Sequence, residues 1–134
     1  MKNARPQRSV SISLNGRFTE DTSVSYSYWS PHDGISRTAL HVCDLYQEKG
    51  TNTLFVLDYL STLNGWVITG IELNPNYAPP PEPLQSETGP CGGSILTKFP
   101  DGDGKWTYYF YIKYYNTLSE AHVRFDPQET NSPP

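Results

Sequence analysis

Residues 105–115 read KWTYYFYIKYY and form the most aromatic segment of a chain of 134 residues. Successive side chains of a β-strand point to opposite faces, so a strand in this segment would have two aromatic faces. One face would carry Trp106, Tyr108, Phe110, Ile112 and Tyr114. The other would carry Tyr109, Tyr111, Lys113 and Tyr115. The pattern predicts a strand that faces the core on one side and is partly accessible on the other.

The tyrosines of the second face suggest an interface. An exposed row made of Tyr109, Tyr111 and Tyr115 would cover a large area at low entropic cost, which is typical of contact surfaces. The alternative interpretation is that loops of the same chain lie over this face. The interface interpretation predicts a homo-oligomer, and the sequence leaves both open.

The rest of the chain also has strand-like patterns. Residues 9–14 alternate serine with Val10, Ile12 and Leu14, and Asn15-Gly16 then predicts a hairpin turn. Residues 23–30, 37–45, 66–73, 94–99 and 120–125 are predicted as further strands. Residues 53–60 are nearly all apolar, which indicates a buried strand, although periodicity alone does not exclude a short helix.

These short strands, with turn signals roughly every 8–12 residues, predict the fold class. We expect a single all-β domain over residues 1–134, an immunoglobulin-like Greek-key β-sandwich of about eight strands. Residues 1–8 are predicted to be a flexible N-terminal arm, and residues 127–134 a C-terminal tail. A chain of this length suits one domain, because two would each be near the lower limit for a stable core.

Residues 74–93 differ from the segments around them. They contain six prolines and almost no apolar residues, so they cannot form an interior strand, because proline lacks a backbone donor. We predict a long Pro-rich loop with extended character. It would be either a stiff connection between two sheets or a ligand for the aromatic groove of a partner.

Composition excludes several functions. The net charge of −4, with no basic run, argues against nucleic-acid binding, and no apolar stretch approaches the roughly 20 residues that span a bilayer. No secretory signal is seen, so we expect a cytoplasmic protein. Cys43 is predicted to be a buried free thiol and Cys91 an accessible one. The histidines lack ligand spacing, so neither a metal nor a cofactor is expected.

Asp126-Pro127 is the main candidate for chemistry. An aspartate can attack the carbonyl of its own C-terminal peptide bond, and a prolyl nitrogen leaves more easily than an ordinary amide nitrogen. The fold would supply a second carboxylate or a lysine, from Lys98, Asp101, Asp103, Lys105 or Lys113. A hairpin turn at Thr117-Leu118 would place Asp126 opposite Tyr108 or Tyr109. The alternative is that Asp-Pro simply ends a strand.

The C-terminal pattern Asp126-Pro127-x-x-x-Asn131-x-Pro133 resembles the ending of the bacterial DP-EP family, also called DUF1888. Residues 66–71 (WVITGI) and 106–110 (WTYYF) are similar in style to segments of that family. The resemblance implies a small β-sandwich, aspartic-type self-cleavage between Asp126 and Pro127 that releases residues 127–134, and self-assembly. The competing hypothesis is a non-catalytic module that forms homo-oligomers, with the tail added as a strand to a neighbour's sheet.

Overall fold

A computed structural model describes residues 7–30, 35–40, 44–47, 52–77, 84–98 and 106–131. These residues form twelve strands and one short α-helix. In chain order the elements are β1 (Gln7–Asn15), β2 (Ser23–Ser30), β3 (Ile35–Leu40), β4 (Asp44–Gln47), β5 (Asn52–Leu57), α1 (Tyr59–Leu63), β6 (Trp66–Leu73), β7 (Gln85–Thr88), β8 (Ser94–Lys98), β9 (Trp106–Tyr108), β10 (Phe110–Asn116), β11 (His122–Phe125) and β12 (Gln128–Asn131).

The all-β prediction is confirmed, but the strands are more numerous than the eight or so expected. One reason is that two long predicted segments are divided, residues 105–115 into β9 and β10 and residues 37–45 into β3 and β4. Another is that β7 and β12 arise in segments without apolar alternation. Such strands are defined by backbone hydrogen bonds to neighbouring strands, and the periodicity of the side chains does not reveal those bonds.

A six-stranded sheet has the order β3-β2-β1-β5-β8-β7. Its centre is β1, which pairs antiparallel with β2 and parallel with β5. The alternation predicted for this strand is confirmed, because Val10, Ile12 and Leu14 are buried while Ser9 and Ser11 are exposed. The Asn15-Gly16 turn between β1 and β2 has Gly16 at φ +95°, a conformation that glycine adopts without steric cost.

A second layer is formed by the sheet β11-β10-β6, and a third sheet has the order β4-β12-β9. In β10 the burial alternates at every residue: Phe110, Ile112 and Tyr114 are buried, while the intervening residues are partly exposed. The face assignment made from the sequence is therefore confirmed for β10.

The core lies between the six-stranded sheet and the β11-β10-β6 sheet, which gives the molecule a sandwich-like arrangement. The Phe55 and Phe110 rings meet edge to face across it, with centroids 6.3 Å apart. Burying an aromatic or aliphatic side chain of this size contributes about 1.5–3 kcal/mol each. The buried apolar side chains are Val10, Ile12, Leu14, Val24, Tyr26, Phe55, Leu57, Trp66, Ile68, Ile95, Phe110, Ile112 and Tyr114.

The apolar run at residues 53–60 contains both a strand and the start of a helix. The strand ends at Leu57, and Asp58 caps α1 by accepting a hydrogen bond from the Ser61 backbone N–H at 2.9 Å. Tyr59 and Leu60 are therefore on an exposed helix and not in a buried strand. Within the described ranges, no helix has the length and apolar character needed to cross a bilayer.

The Pro-rich segment 74–93 includes a strand, β7, which lies at the edge of the six-stranded sheet with all four residues exposed. Proline-containing sequence tolerates an edge position, because one side of an edge strand needs no ladder bonds. A 3₁₀ turn, Pro90–Gly92, follows. At the N-terminus, β1 begins at Gln7, so Gln7 and Arg8 of the predicted arm are in a strand.

Candidate functional site

Asp126 and Pro127 interrupt a long antiparallel ribbon. On one side of them β11 pairs with β10, with Phe125 opposite Ile112. On the other side β12 pairs with β9, with Glu129 opposite Tyr108. Both ladders have the same register, so continuing it through the gap puts Asp126 opposite Tyr111. The site is therefore a bend within one ribbon and not a loose chain end.

This register corrects the expected pairing of Asp126 with Tyr108 or Tyr109. The hairpin turn falls at Thr117–Ser119 and is closed by the Glu120 N–H, which donates to the Asn116 carbonyl at 2.8 Å. Its centre is one residue later than assumed from the sequence, so every partner shifts by two positions.

Pro127 accounts for the interruption. Its nitrogen carries no hydrogen, so it cannot donate to a ladder, and its ring favours extended geometry in the preceding residue. Pro127 is buried, and Asp126 is half-buried beside it. Among the residues that the structure describes, none forms a hydrogen bond or ion pair with the Asp126 carboxylate.

A second carboxylate lies on the other side of Tyr111. Glu72 on β6 is the partner of Tyr111 in the β6–β10 ladder. Continuing the register through the gap therefore places Asp126 on the other side of Tyr111 from Glu72. Two inter-strand spacings, about 10 Å, separate the backbones of the two acidic residues, with Tyr111 between them.

Arg124 connects Glu72 with Tyr111. Its guanidinium lies over the Tyr111 ring, 4.3 Å from the ring centroid, and its Nη1 donates to Glu72 Oε1 at 3.4 Å. The Tyr111 hydroxyl accepts a hydrogen bond from Asn74 Nδ2 at 3.2 Å.

The three candidate lysines have different locations. Lys113 is on β10 opposite Arg124, diagonal to Asp126 in the register; such positions have Cβ atoms about 7–8 Å apart, within reach of a long side chain. Lys98 is on β8 in the six-stranded sheet and forms an ion pair with Glu87 at 3.1 Å. Lys105, with Asp101 and Asp103, lies outside the described residues.

The predicted tyrosine interface is partly covered by the chain itself. Tyr77 stacks on Tyr109 with ring centroids 3.7 Å apart, and His122 lies 4.8 Å from Tyr115. Arg124 covers Tyr111 as described above. The three tyrosines are half-buried. This arrangement matches the alternative in which other parts of the chain lie over the outer face.

Glu72 and Arg124 were not identified as site residues from the sequence. Glu72 precedes the Pro-rich segment, and its place opposite Tyr111 depends on the long-range β6–β10 register. Arg124 could have been found from the short β10–β11 hairpin, once the turn was placed correctly.

No metal site is apparent in the part of the chain that the structure describes, since no three His, Cys, Asp or Glu side chains are grouped there. Cys91 is an exposed free thiol. Cys43, His32 and His41 lie outside the described ranges.

No protein-family model matches the chain, and no curated protein matches it either.

Proposed function

We propose that this protein is a β-sandwich of the DP-EP type that cleaves its own Asp126–Pro127 bond once. The observation that carries the proposal is the half-buried Asp126 carboxylate, which has no partner among the described residues and precedes a buried proline in the gap of the ribbon. A carboxylate held without a structural partner is free to react with its own backbone.

The proposed reaction is a hydrolysis in two steps. An Asp126 carboxyl oxygen attacks the carbonyl carbon of Asp126, the C–N bond to Pro127 breaks, and the prolyl nitrogen takes a proton. The product is a five-membered cyclic anhydride and a new N-terminus at Pro127. Water then opens the anhydride and restores the side-chain carboxyl together with a free α-carboxyl. One water is consumed and no oxidant or reductant is needed.

The fold contributes positioning. The ribbon holds both sides of the bond in one register, which favours the reactive conformer over the many that a free peptide samples. Glu72 is the second carboxylate that would activate the water for the second step, and Arg124 orients it through their hydrogen bond. Lys113 is the described candidate lysine closest to Asp126 in the register, and its side chain would have to turn away from Gly70 of β6, where its Cε lies, to donate the proton.

The test is the intact mass of purified protein during incubation at mildly acidic pH. We expect loss of the mass of residues 127–134, abolished in Asp126→Asn, whereas Glu72→Gln should prolong the anhydride form of the retained fragment, which is lighter by one water than the hydrolysed form. Lys113→Gln should slow this loss of mass, because it removes the proposed proton donor. Lys98→Gln is its matched control and should leave the rate unchanged, because Lys98 is in the other sheet. If Lys113 instead attacked the carbonyl, the retained fragment would stay lighter by one water permanently, whereas the anhydride gains that water when it is hydrolysed.

A second arm separates catalysis by the fold from ordinary acid lability. The same protein is incubated in concentrated urea at the same pH. Cleavage that is equally fast in urea, or an unchanged mass in both arms, would refute the proposal.

The proposal includes an immunoglobulin-like Greek key. The order β7-β8-β5-β1 in one sheet and β11-β10-β6 in the other corresponds to the strand order of an immunoglobulin constant-type domain. The Phe55–Phe110 contact joins β5 and β10, which would correspond to the two strands that a disulfide links in antibody domains. The buried Trp66 in β6 would correspond to the buried tryptophan on strand C of those domains. The parallel β1–β5 pairing is the main departure.

We also propose a cytoplasmic location, which suits the free thiol of Cys91.

The second candidate function is a non-catalytic module that forms homo-oligomers. It is favoured by large apolar side chains exposed at one end of the molecule, namely Phe18, Leu63 and Leu118. Their loops are joined by hydrogen bonds from Arg17 to Asn64 and from Ser119 to Arg17. Exposed apolar patches of this kind are typical of interaction surfaces. In contrast, β12 is already paired on both sides within its own chain.

Size-exclusion chromatography with light scattering tests this candidate. We expect a dimer or larger species that Leu118→Lys converts to monomer, whereas Thr69→Lys, on the outer face of β6, does not. A monomer at high protein concentration would contradict the assembly hypothesis.

A further inference from the structure

The outer face of β6, β10 and β11 contains a depression of about 610 Å³, lined in part by Thr69, Lys113 and Tyr115. A β-bulge creates it. Lys113 pairs with Gly70 and Tyr114 pairs with Ile68, so Thr69 is an extra residue in β6. On the β6 side Lys113 faces Gly70, which has no side chain, and the Lys113 Cε lies 3.9 Å from the position that a Cβ of Gly70 would occupy.

The charges around this depression are positive in an otherwise acidic chain. Lys113 lies directly opposite Arg124, and two like charges in such a cross-strand pair destabilise each other. One carboxylate, Glu72, forms an ion pair with Arg124 at 3.4 Å. Among the described residues, no carboxylate forms an ion pair with Lys113, and Asp126, two residues after Arg124, pairs with neither. Within the described ranges, Lys113 thus has no carboxylate partner, whereas Arg124 has Glu72.

An aromatic pair forms the end of the depression. Tyr115 and His122 are cross-strand partners, with ring centroids 4.8 Å apart and planes inclined at 45°. Their inclined rings give a flat or ring-shaped ligand a surface to contact, and the two cations provide charged contacts. The Thr69 hydroxyl donates to the Lys113 carbonyl at 3.2 Å and so holds the wall of the depression. Pockets with apolar walls and a few convergent polar groups are the usual form of small-molecule sites.

We propose that this depression binds a small ligand that has a carboxylate attached to a ring. The carboxylate would pair with Lys113 and Arg124, and the ring would contact Tyr115. Binding would relieve the repulsion between the two cations. The site shares Lys113 and Arg124 with the proposed cleavage machinery but does not include Asp126, so Asp126→Asn is expected to leave it intact.

The test is a titration of the ¹⁵N-labelled full chain, followed by amide chemical shifts in NMR spectra. Sodium glucuronate and sodium benzoate are the probes, because one represents sugar acids and the other aromatic acids. Glucose is the uncharged control. We expect saturable shifts at Lys113, His122 and Arg124 with at least one carboxylate, and none with glucose. The probe that binds more tightly identifies the source of the ring.

Two substitutions examine the charges. Lys113→Gln and Arg124→Gln are each expected to weaken binding about tenfold, since each removes a charge-assisted contact. Lys98→Gln, a lysine in the other sheet, should leave the affinity unchanged. Thermal unfolding confirms that each variant is folded. The proposal is overturned if neither carboxylate gives saturable shifts, if glucose binds equally well, or if Lys113→Gln binds like the wild type.

Discussion

Replacing Ser61 by alanine tests how α1 is attached to the six-stranded sheet. The β1–β5 ladder ends at Ile12 and Leu57, where the chain leaves the sheet and turns into α1. At that point the Ser61 Oγ accepts the Leu14 N–H at 2.8 Å, in the place where a strand would otherwise continue. Ser61 is only 1% exposed, and Leu14 is also buried.

The expected cost is about 2 kcal/mol. Alanine removes the acceptor and leaves the Leu14 N–H without its partner in a buried position, which costs about 1–3 kcal/mol. The Ser61 backbone N–H still donates to Asp58, so the helix cap is retained. For a chain of this size the loss corresponds to a fall in Tm of about 7 °C. Urea unfolding followed by circular dichroism measures it, and hydrogen exchange of the Leu14 amide locates it.

Thr62→Ala is the matched control. Thr62 is the next residue of the same helix, is exposed, and its hydroxyl donates to the Asp58 carbonyl at 3.1 Å. Water replaces this contact, so we expect a change below about 0.5 kcal/mol. If Ser61→Ala loses no more stability than Thr62→Ala, or if the Leu14 amide is equally protected in both, the reasoning is wrong.

Three further predictions concern stability. Burial raises the pKa of Asp58, but hydrogen bonds from Ser61 and Ser13 outweigh this effect and bring the pKa below its ordinary value of 3.8. Asp58→Ala should therefore cost about 1 kcal/mol of stability at pH 7. In urea unfolding, the difference in stability from the wild type should vanish as the pH falls below 3.8. Burial raises the pKa of Tyr114 well above 10.0, so the contribution of the neutral Tyr114 to stability is complete below pH 10 and is lost as the pH rises further. In an alkaline titration, Tyr114→Phe should unfold at a higher pH than the wild type, and an unchanged midpoint would count against this reasoning. Gly65 has φ +97°, and a Cβ at this position would lie 2.8 Å from Asn116 Oδ1. Gly65→Ala should therefore lower the Tm by several degrees. An unaltered Tm in calorimetry would contradict the steric argument.

Local patterns predicted much of the fold. The period-2 alternation of β1 and β10 identified their buried faces, because side-chain direction in a strand depends only on position along it. The Asn-Gly turn at residues 15–16 was also located, since left-handed backbone favours glycine. The run 53–60 was ambiguous because a buried strand and a helix turn both accept apolar residues, and the cap at Asp58 separates them.

The candidate site was predicted only in part. Asp126-Pro127 was evident as a chemical motif, because the reactivity of that bond depends on adjacent atoms. Glu72 and Arg124 were missed, since their places beside Tyr111 depend on two ladders whose registers involve distant residues. A shift of one residue in the centre of the 117–119 turn was enough to misplace the partner of Asp126.

The amino-acid sequence by itself determined which segments are extended, which faces of them are apolar, and where one weak peptide bond lies, because these properties depend on neighbouring residues alone. Tertiary structure decided the parallel pairing of β1 with β5, the place of β12 between β4 and β9, and the meeting of Glu72 with Tyr111. Such pairings depend on how two sheets pack around a common core, and that packing depends on contacts between residues far apart in the chain.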